Sequence, residues 1–189
     1  MTESNSYPQL VDGELTLRPF RLRDKKAWKR IRAENREWLR PWEATVPDIS
    51  LRVTGMVTFS KLIRLQKKEA YSQKAFAFGM FVGPNFVGQI TLGGVIFGAL
   101  RGAHIGYWID RNYANRGLTT KAVNMVTDFA FKELELHRIE INIRPENPAS
   151  IRVAEKCGYL YEGKRLNYLH IDGQWRDHLC YVKENARIK

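Results

Sequence analysis

Cysteine is nearly absent from this chain. Cys157 and Cys180 are the only two, which excludes a disulfide framework and a thiolate-rich metal centre. Each is expected as a small buried residue. No apolar run approaches the roughly 18 residues that a membrane-spanning helix needs. Met1-Thr2-Glu3-Ser4-Asn5-Ser6 carries neither the basic nor the apolar part of a secretion signal, so a cytoplasmic protein with no membrane role is expected. His104, His137, His170 and His178 lack a ligand spacing with other donors, and no metal is expected. Zinc-finger, RRM and helix-turn-helix signatures are missing, as are internal repeats and low-complexity segments. Acidic residues are also in short supply: 20 Asp+Glu against 31 Lys+Arg leave a formal charge of +11. Such an excess attracts an anionic cofactor, nucleic acid or an RNA-rich assembly, or it serves solubility alone.

What is present fits one domain. The chain has 189 residues, 44% of them hydrophobic, enough for a sizeable core. Residues 1–12 are polar and expected to be loosely held, leaving 13–189 as the domain. Leu15-Thr16-Leu17-Arg18 alternates as a strand. Asp24 is placed to cap a helix running through Trp28 and Ile31 to Leu39, with Lys25, Lys26, Lys29, Arg30 and Arg32 on its wet face and Pro41 at its end. A second helix is expected from about Leu51 to Ala70. Strands at Ala75 to Phe81 and Phe86 to Leu92 flank the turn residues Gly83-Pro84-Asn85, and a third follows at Ala103 to Ile109. Ala122, Val123, Val126, Phe129, Ala130 and Leu134 stripe a long helix. Arg138 to Ile143 then reads as a strand parallel to the one before that helix. A helix from Ala149 to Cys157 stops at Gly158, and a last hairpin, Tyr159 to Leu166 with Trp175 to Val182, turns at Asp172-Gly173. These elements make an α/β sandwich around one mixed sheet.

The chemistry concentrates between Ile105 and Gly163. The apolar run Ile105-Gly106-Tyr107-Trp108-Ile109 leads into Asn115-Arg116-Gly117-Leu118-Thr119-Thr120 and the long helix. A glycine lets the backbone come close to an anion, and a helix's first turn leaves N–H groups unpaired with the positive end of the dipole behind them. Arg116 adds a cation and Thr119 and Thr120 add hydroxyls, a donor set suited to a pyrophosphate. An ordinary helix cap would look similar. Downstream lie Asn147-Pro148-Ala149-Ser150-Ile151 and Glu155-Lys156-Cys157-Gly158-Tyr159-Leu160-Tyr161-Glu162-Gly163.

Together these two halves resemble the acyl-CoA-binding signature of the GNAT acetyltransferase superfamily. The segment Asn35-Arg36-Glu37-Trp38-Leu39-Arg40-Pro41-Trp42 is similar to the RimJ/RimL-type branch, which acetylates N-terminal residues of ribosomal proteins. The resemblance implies a mixed, mostly antiparallel central sheet with a splayed parallel pair, helices on both faces, and acetyl-CoA as co-substrate. The superfamily's loop usually reads Arg or Gln, two residues, Gly, one residue, then Gly or Ala. Here Ala114 and Thr119 depart from it at both ends. By this likeness Asn147 hydrogen-bonds the pantetheine arm, besides capping its helix; Lys156 reaches the adenosine phosphate or is a surface lysine; and a backbone N–H of Tyr107, Trp108 or Ile109 meets the oxyanion.

Amide formation from a thioester needs a neutral amine, a proton acceptor, an oxyanion donor and an acid for the thiolate. The superfamily's usual thiolate acid is a Tyr seven positions after the motif Asn, where this chain has Ala154. The Rim-type resemblance offers Ser150 instead, against the alternative of a first-turn serine bonded to the backbone. His104 stands where many relatives carry a glutamate and has a suitable pKa for a base, although a strand histidine is often structural. Trp38, Trp42, Glu43 and Tyr168 combine aromatic walls with a carboxylate that could cradle an amine, or they pack in the core. An α-amine of pKa about 7.7–8.0 is partly neutral at pH 7 and lysine at about 10.4 hardly at all, which favours an N-terminal acceptor. The expected activity is direct acetyl transfer to a protein N-terminus, of a ribosomal protein, with the basic surface touching rRNA and the enzyme a monomer or homodimer. Alternatives are a small-amine acetyltransferase acting on an antibiotic or polyamine, and a noncatalytic CoA-sensing or RNA-associated protein.

Overall fold

Alternation of buried and exposed positions sets the strands, and helical spacing sets the segments between them. The computed structural model describes residues 7–47 and 58–188. A short hairpin of β1 (Leu10–Asp12) and β2 (Leu15–Arg18) precedes three helices, α1 (Lys25–Glu34), α2 (Arg36–Leu39) and α3 (Phe59–Tyr71). An antiparallel meander follows, of β3 (Phe76–Val82), β4 (Asn85–Ile96) and β5 (Gly102–Ile109). Helix α4 (Leu118–Lys132) crosses to β6 (Arg138–Ile143), and α5 (Pro148–Lys156) leads to the hairpin β7 (Leu160–Ile171) and β8 (Gln174–Glu184). The strands form one sheet in the order β1-β2-β3-β4-β5-β6-β8-β7.

One junction in that sheet matters most for the site. β5 runs parallel to β6 and pairs with it only from Gly102–Arg138 to His104–Glu140, while every other neighbouring pair is antiparallel. Beyond His104 the two strands part, as the expected splayed pair should. The backbone on that flank of β5 therefore has no partner strand.

The two faces of the sheet are filled differently. Ala122, Val123, Val126 and Ala130 of α4 are buried against Leu15, Leu17, Phe78, Ile90 and Leu92, together with Ala154 and Cys157 at α5. At roughly 1.5–3 kcal/mol for each fully buried Val or Leu, packing rather than propensity holds α4 in place. On the opposite face Phe20, Ile31, Phe59, Ile63, Phe81 and Phe86 pack beneath α1 and α3, with the Trp28 and Phe59 rings 5.5 Å apart. No helix among the described residues is long and apolar enough to cross a membrane.

Several expectations are corrected. Residues 7–12 are not loose: β1 extends the sheet, and the Tyr7 hydroxyl accepts from Ala77 N at 2.6 Å and donates to Ala77 O at 2.5 Å. Three residues are too few for alternation to betray a strand. Asp24 does not cap α1 with its side chain; its carboxylate takes Arg18 at 2.8 and 2.9 Å and Arg21 N at 2.7 Å. The first helix breaks at Asn35, and Pro41 sits within a 3-10 turn, Arg40–Trp42, that carries the chain on to Glu43. The second helix starts at Phe59, capped by the Thr58 hydroxyl; the expected start near Leu51 lies outside the described residues.

Candidate functional site

The parting of β5 from β6 opens a cavity of about 700 Å³ bounded by the end of β5, the N-termini of α4 and α5, and the α2 segment. Its first wall is the phosphate-type loop. Gly117 caps α4 in the left-handed region at φ +74°, and Asn115 is also left-handed at φ +62°. A Cβ on Gly117 would meet nothing within 4 Å, so the backbone angle rather than space demands glycine there. The first intrahelical bond runs from Lys121 N to Gly117 O at 3.0 Å, which leaves the amides of Leu118, Thr119 and Thr120 facing the cavity without helical acceptors. Arg116 lines the wall too, held by Asn112 O at 2.9 Å and by the Tyr113 ring, 4.9 Å from its guanidinium carbon. Farther along α5, Arg152 at its middle and Lys156 at its end add two more cations.

The second wall is the start of α5. Asn147 caps it, its Oδ1 accepting from Ser150 N at 3.1 Å, with Pro148 in the first turn. Tyr107 on β5 donates its hydroxyl to Ser150 O at 3.4 Å. Burial pushes the Tyr107 phenol well above its usual range, so it stays protonated. Ser150 lines the cavity beside the Tyr107 hydroxyl. Ala154, at the position of the superfamily's usual tyrosine, is fully buried under the sheet.

The third wall belongs to the α1–α2 segment. Trp38 is 40% exposed rather than a core residue, and its Nε1 donates to Ile109 O at 3.2 Å. Trp42 lies beside Arg144, whose Nη1 donates to Pro41 O at 2.7 Å. Glu43 is ion-paired with Arg32, which also stacks 5.3 Å from the Trp108 ring. Glu43 is the single carboxylate among the described lining residues. This wall is fastened by a buried pair that sequence reading missed. Asn35 Nδ2 donates to Asp110 Oδ1 at 3.0 Å and Asn35 Oδ1 accepts from Arg111 N at 2.9 Å, with both side chains almost inaccessible. The two lie 75 residues apart, so no local signal could join them.

The structure thus brings Tyr107, Trp108, Ile109, Asn115 to Thr120, Asn147, Ser150, Lys156, Trp38, Trp42 and Glu43 around one cavity. Two expected residues are not there. His104 lies where β5 still pairs with β6, and its ring covers Gly93 and Gly94; a Cβ on Gly94 would come within 2.8 Å of it. Desolvation pulls its pKa down, with Glu140 acting the other way. Tyr168 is carried off by the irregular register of β7 between Arg165 and Leu169, and its ring packs 5.8 Å from His178 while its hydroxyl accepts from Arg165 at 3.1 Å. Sequence reading also passed over Arg32, which its basic neighbours on α1 made look like an ordinary wet-face residue, and Arg152 of α5. No group of three potential metal ligands occurs among the described residues.

Comparison with known proteins gives the same picture from outside the cavity. Residues 14–160 match the family described as Acetyltransferase (GNAT) domain. A probable N-acetyltransferase of Bacillus subtilis (strain 168) is 34% identical over 164 residues, 86% of this chain and 89% of that protein. The ribosomal protein uS5-alanine N-acetyltransferase of Escherichia coli (strain K12) is 30% identical over 160 residues, 82% of this chain and 81% of that one. The structure of Mycobacterium smegmatis RimJ in complex with CoA-disulfide superposes with a TM-score of 0.84 at 35% identity, covering 96% of this chain and 88% of the other.

Proposed function

The chain belongs to the GNAT acetyltransferase family, and from that premise we propose that it transfers the acetyl group of acetyl-CoA to the N-terminal α-amine of a ribosomal protein. Its being an acetyl-CoA-dependent N-acetyltransferase follows from the family and the named relatives; the acceptor is the new part. The observation that carries it is the composition of the cavity. A helix N-terminus with free amides stands at one end and two tryptophans with a single carboxylate stand at the other, 74 residues apart in sequence between Glu43 and Gly117 and joined by the unpaired flank of β5.

Each residue then has a task. The amides of Leu118, Thr119 and Thr120 receive the pyrophosphate, with Arg116 nearby. The unpaired flank of β5 offers a backbone N–H to the carbonyl oxygen as it gains charge. Ser150, in the first turn of α5 on the cavity wall, gives a hydrogen bond to the departing thiolate, with the Tyr107 hydroxyl 3.4 Å from Ser150 O. Trp38 and Trp42 enclose the amine, and Glu43, held in place by Arg32, accepts a hydrogen bond from it. The described lining holds no histidine. An acceptor that is partly neutral at working pH needs no strong base, and an α-amine of pKa about 7.7–8.0 satisfies that where a lysine does not. The relatives that act on ribosomal proteins support the same choice, and the basic surface suits a target embedded in rRNA.

Thiol release from acetyl-CoA, measured against N-terminal ribosomal peptides, N-blocked lysine peptides, polyamines and aminoglycosides, tests the assignment. Transfer to free peptide N-termini alone is expected. Transfer to polyamines or lysine side chains instead would overturn the acceptor while leaving the family intact.

A further inference from the structure

The positive charge of this protein is not spread evenly. Residues 21–40 carry nine basic and three acidic side chains, and α3 carries four basic and one acidic, so these two stretches hold nine of the eleven net charges. The three acids of the first stretch are each engaged by arginines, Asp24 by Arg18, Glu34 by Arg30 and Glu37 by Arg40. Lys25, Lys26 and Lys29 on α1, and Lys61, Arg64 and Lys68 on α3, are exposed and make no ion pair among the described residues. The helices share one side of the sheet, their inner faces locked together where Trp28 meets Phe59. On α3 the three cations follow helical spacing over about 10 Å, and Lys25 and Lys29 do so over about 6 Å on α1.

We infer that the outer face of α1 and α3 is a docking surface for the phosphate backbone of duplex RNA. A duplex nucleic acid presents one charge for each 1.7 Å or so of its axis, a density that such a patch can match. A membrane surface would need a continuous apolar side to insert; here Ile31, Phe59 and Ile63 are in the core, and the exposed Leu65 and Tyr71 of α3 are single apolar side chains set among Lys61, Arg64, Lys67 and Lys68. The placement also has a direction. α1 continues through Asn35 into α2 and the Arg40–Trp42 turn, which build the acceptor wall. RNA held on the outer face lies alongside the mouth that takes the amine, so the surface would orient a protein tail emerging from an RNA-rich particle. That last step rests on the ribosomal acceptor proposed above, whereas the RNA contact itself is read separately.

The test uses the full chain and a fluorescein-labelled RNA hairpin of about 20 base pairs, followed by anisotropy between about 50 and 200 mM salt. Binding that falls steeply with salt is expected. The variant Lys29→Gln/Arg64→Gln/Lys68→Gln should bind at least about tenfold more weakly and lose about 2 to 3 from the log–log salt slope, near 0.9 for each phosphate contact. The variant Lys132→Gln/Lys164→Gln/Arg187→Gln, which removes the same charge elsewhere, should change affinity less than about twofold. Equal weakening by both variants, binding without salt dependence, or preference for phosphatidylserine vesicles over the hairpin would each overturn the assignment. Acetylation of a free N-terminal peptide should be unchanged in the first variant, which also reports that it is folded. RNA binding without peptide acetylation would remove the acceptor reading and leave the surface; acetylation without RNA binding would do the reverse.

Discussion

Replacing Asn35 by Ala should damage the α1–α2 wall of the cavity far more than its place at a helix break suggests. Asn35 Nδ2 donates to Asp110 Oδ1 and to Ile31 O, both at 3.0 Å, and its Oδ1 accepts from Arg111 N. Ile31 O keeps the Asn35 backbone N–H at 3.1 Å, so little is lost there. The Arg111 amide and the Asp110 carboxylate lose more. Asp110 is 2% exposed and would retain only Asn112 N at 3.1 Å as a side-chain partner. An unsatisfied buried amide costs about 1–3 kcal/mol and a buried carboxylate deprived of a donor more, which puts the expected loss at about 3 kcal/mol. With a urea dependence of about 2–3 kcal/mol per M, the unfolding midpoint should fall by at least about 1 M. Because Trp38 reaches Ile109 across this junction, KM for the peptide should rise while acetyl-CoA affinity stays within about twofold. Asn35→Asp sharpens the test: two adjoining buried carboxylates cannot both ionise, which raises the folded pKa of the pair, so the loss should be larger at pH 8 than at pH 5. A destabilisation below about 0.5 kcal/mol with both kinetic constants unchanged would refute the reasoning.

Ser150→Ala should lower kcat roughly 100-fold with CoA affinity preserved in calorimetry, whereas Tyr107→Phe, which removes a positioning contact, should cost less than about tenfold. Gly117→Ala has room for its methyl but not the backbone angle; a strain of about 1–2 kcal/mol should weaken CoA roughly tenfold as the loop relaxes. Burial alone would raise the Asp24 pKa, yet the hydrogen bonds from Arg18 and Arg21 outweigh it and hold the carboxyl below its usual value. That contribution is present above the unfolded pKa and disappears as pH falls through the folded one, so the stability gap between wild type and Arg18→Met should narrow from pH 7 towards pH 3. Burial pushes the Cys157 thiol up to about 11, Lys183 opposing; iodoacetamide should label it at pH 8 only after unfolding.

The phosphate-type loop was legible because everything that makes it is local: one left-handed glycine, one helix start, one stripe of apolar residues. The same holds for Asn147 over Ser150, three positions apart. The cavity wall built by the α1–α2 segment was half legible. Trp38, Trp42 and Glu43 advertise themselves by residue type, but Arg32 is set apart from the other basic residues of α1 only by pointing at Glu43, a tertiary fact. His104 and Tyr168 failed for a shared reason. A strand period says which residues share a face, and says nothing of where along the strand a neighbour departs or its register slips, and those two events fix both side chains. The Asn35–Asp110 bond depends on pairing across 75 residues and left no trace in either segment.

The parting of β5 and β6 gives this sheet a raw border in its middle. Unpaired strand borders ordinarily sit at the rim, where they recruit other chains and seed aggregation unless charge, proline or a bulge blunts them. Here the exposed stretch beyond His104 is walled by the first turns of α4 and α5 and by Trp38 bonded to Ile109. A second sheet cannot reach it. A slender extended molecule with amide groups of its own can, so the burial proposed above to admit a cofactor arm also keeps the fold from adding strands to itself.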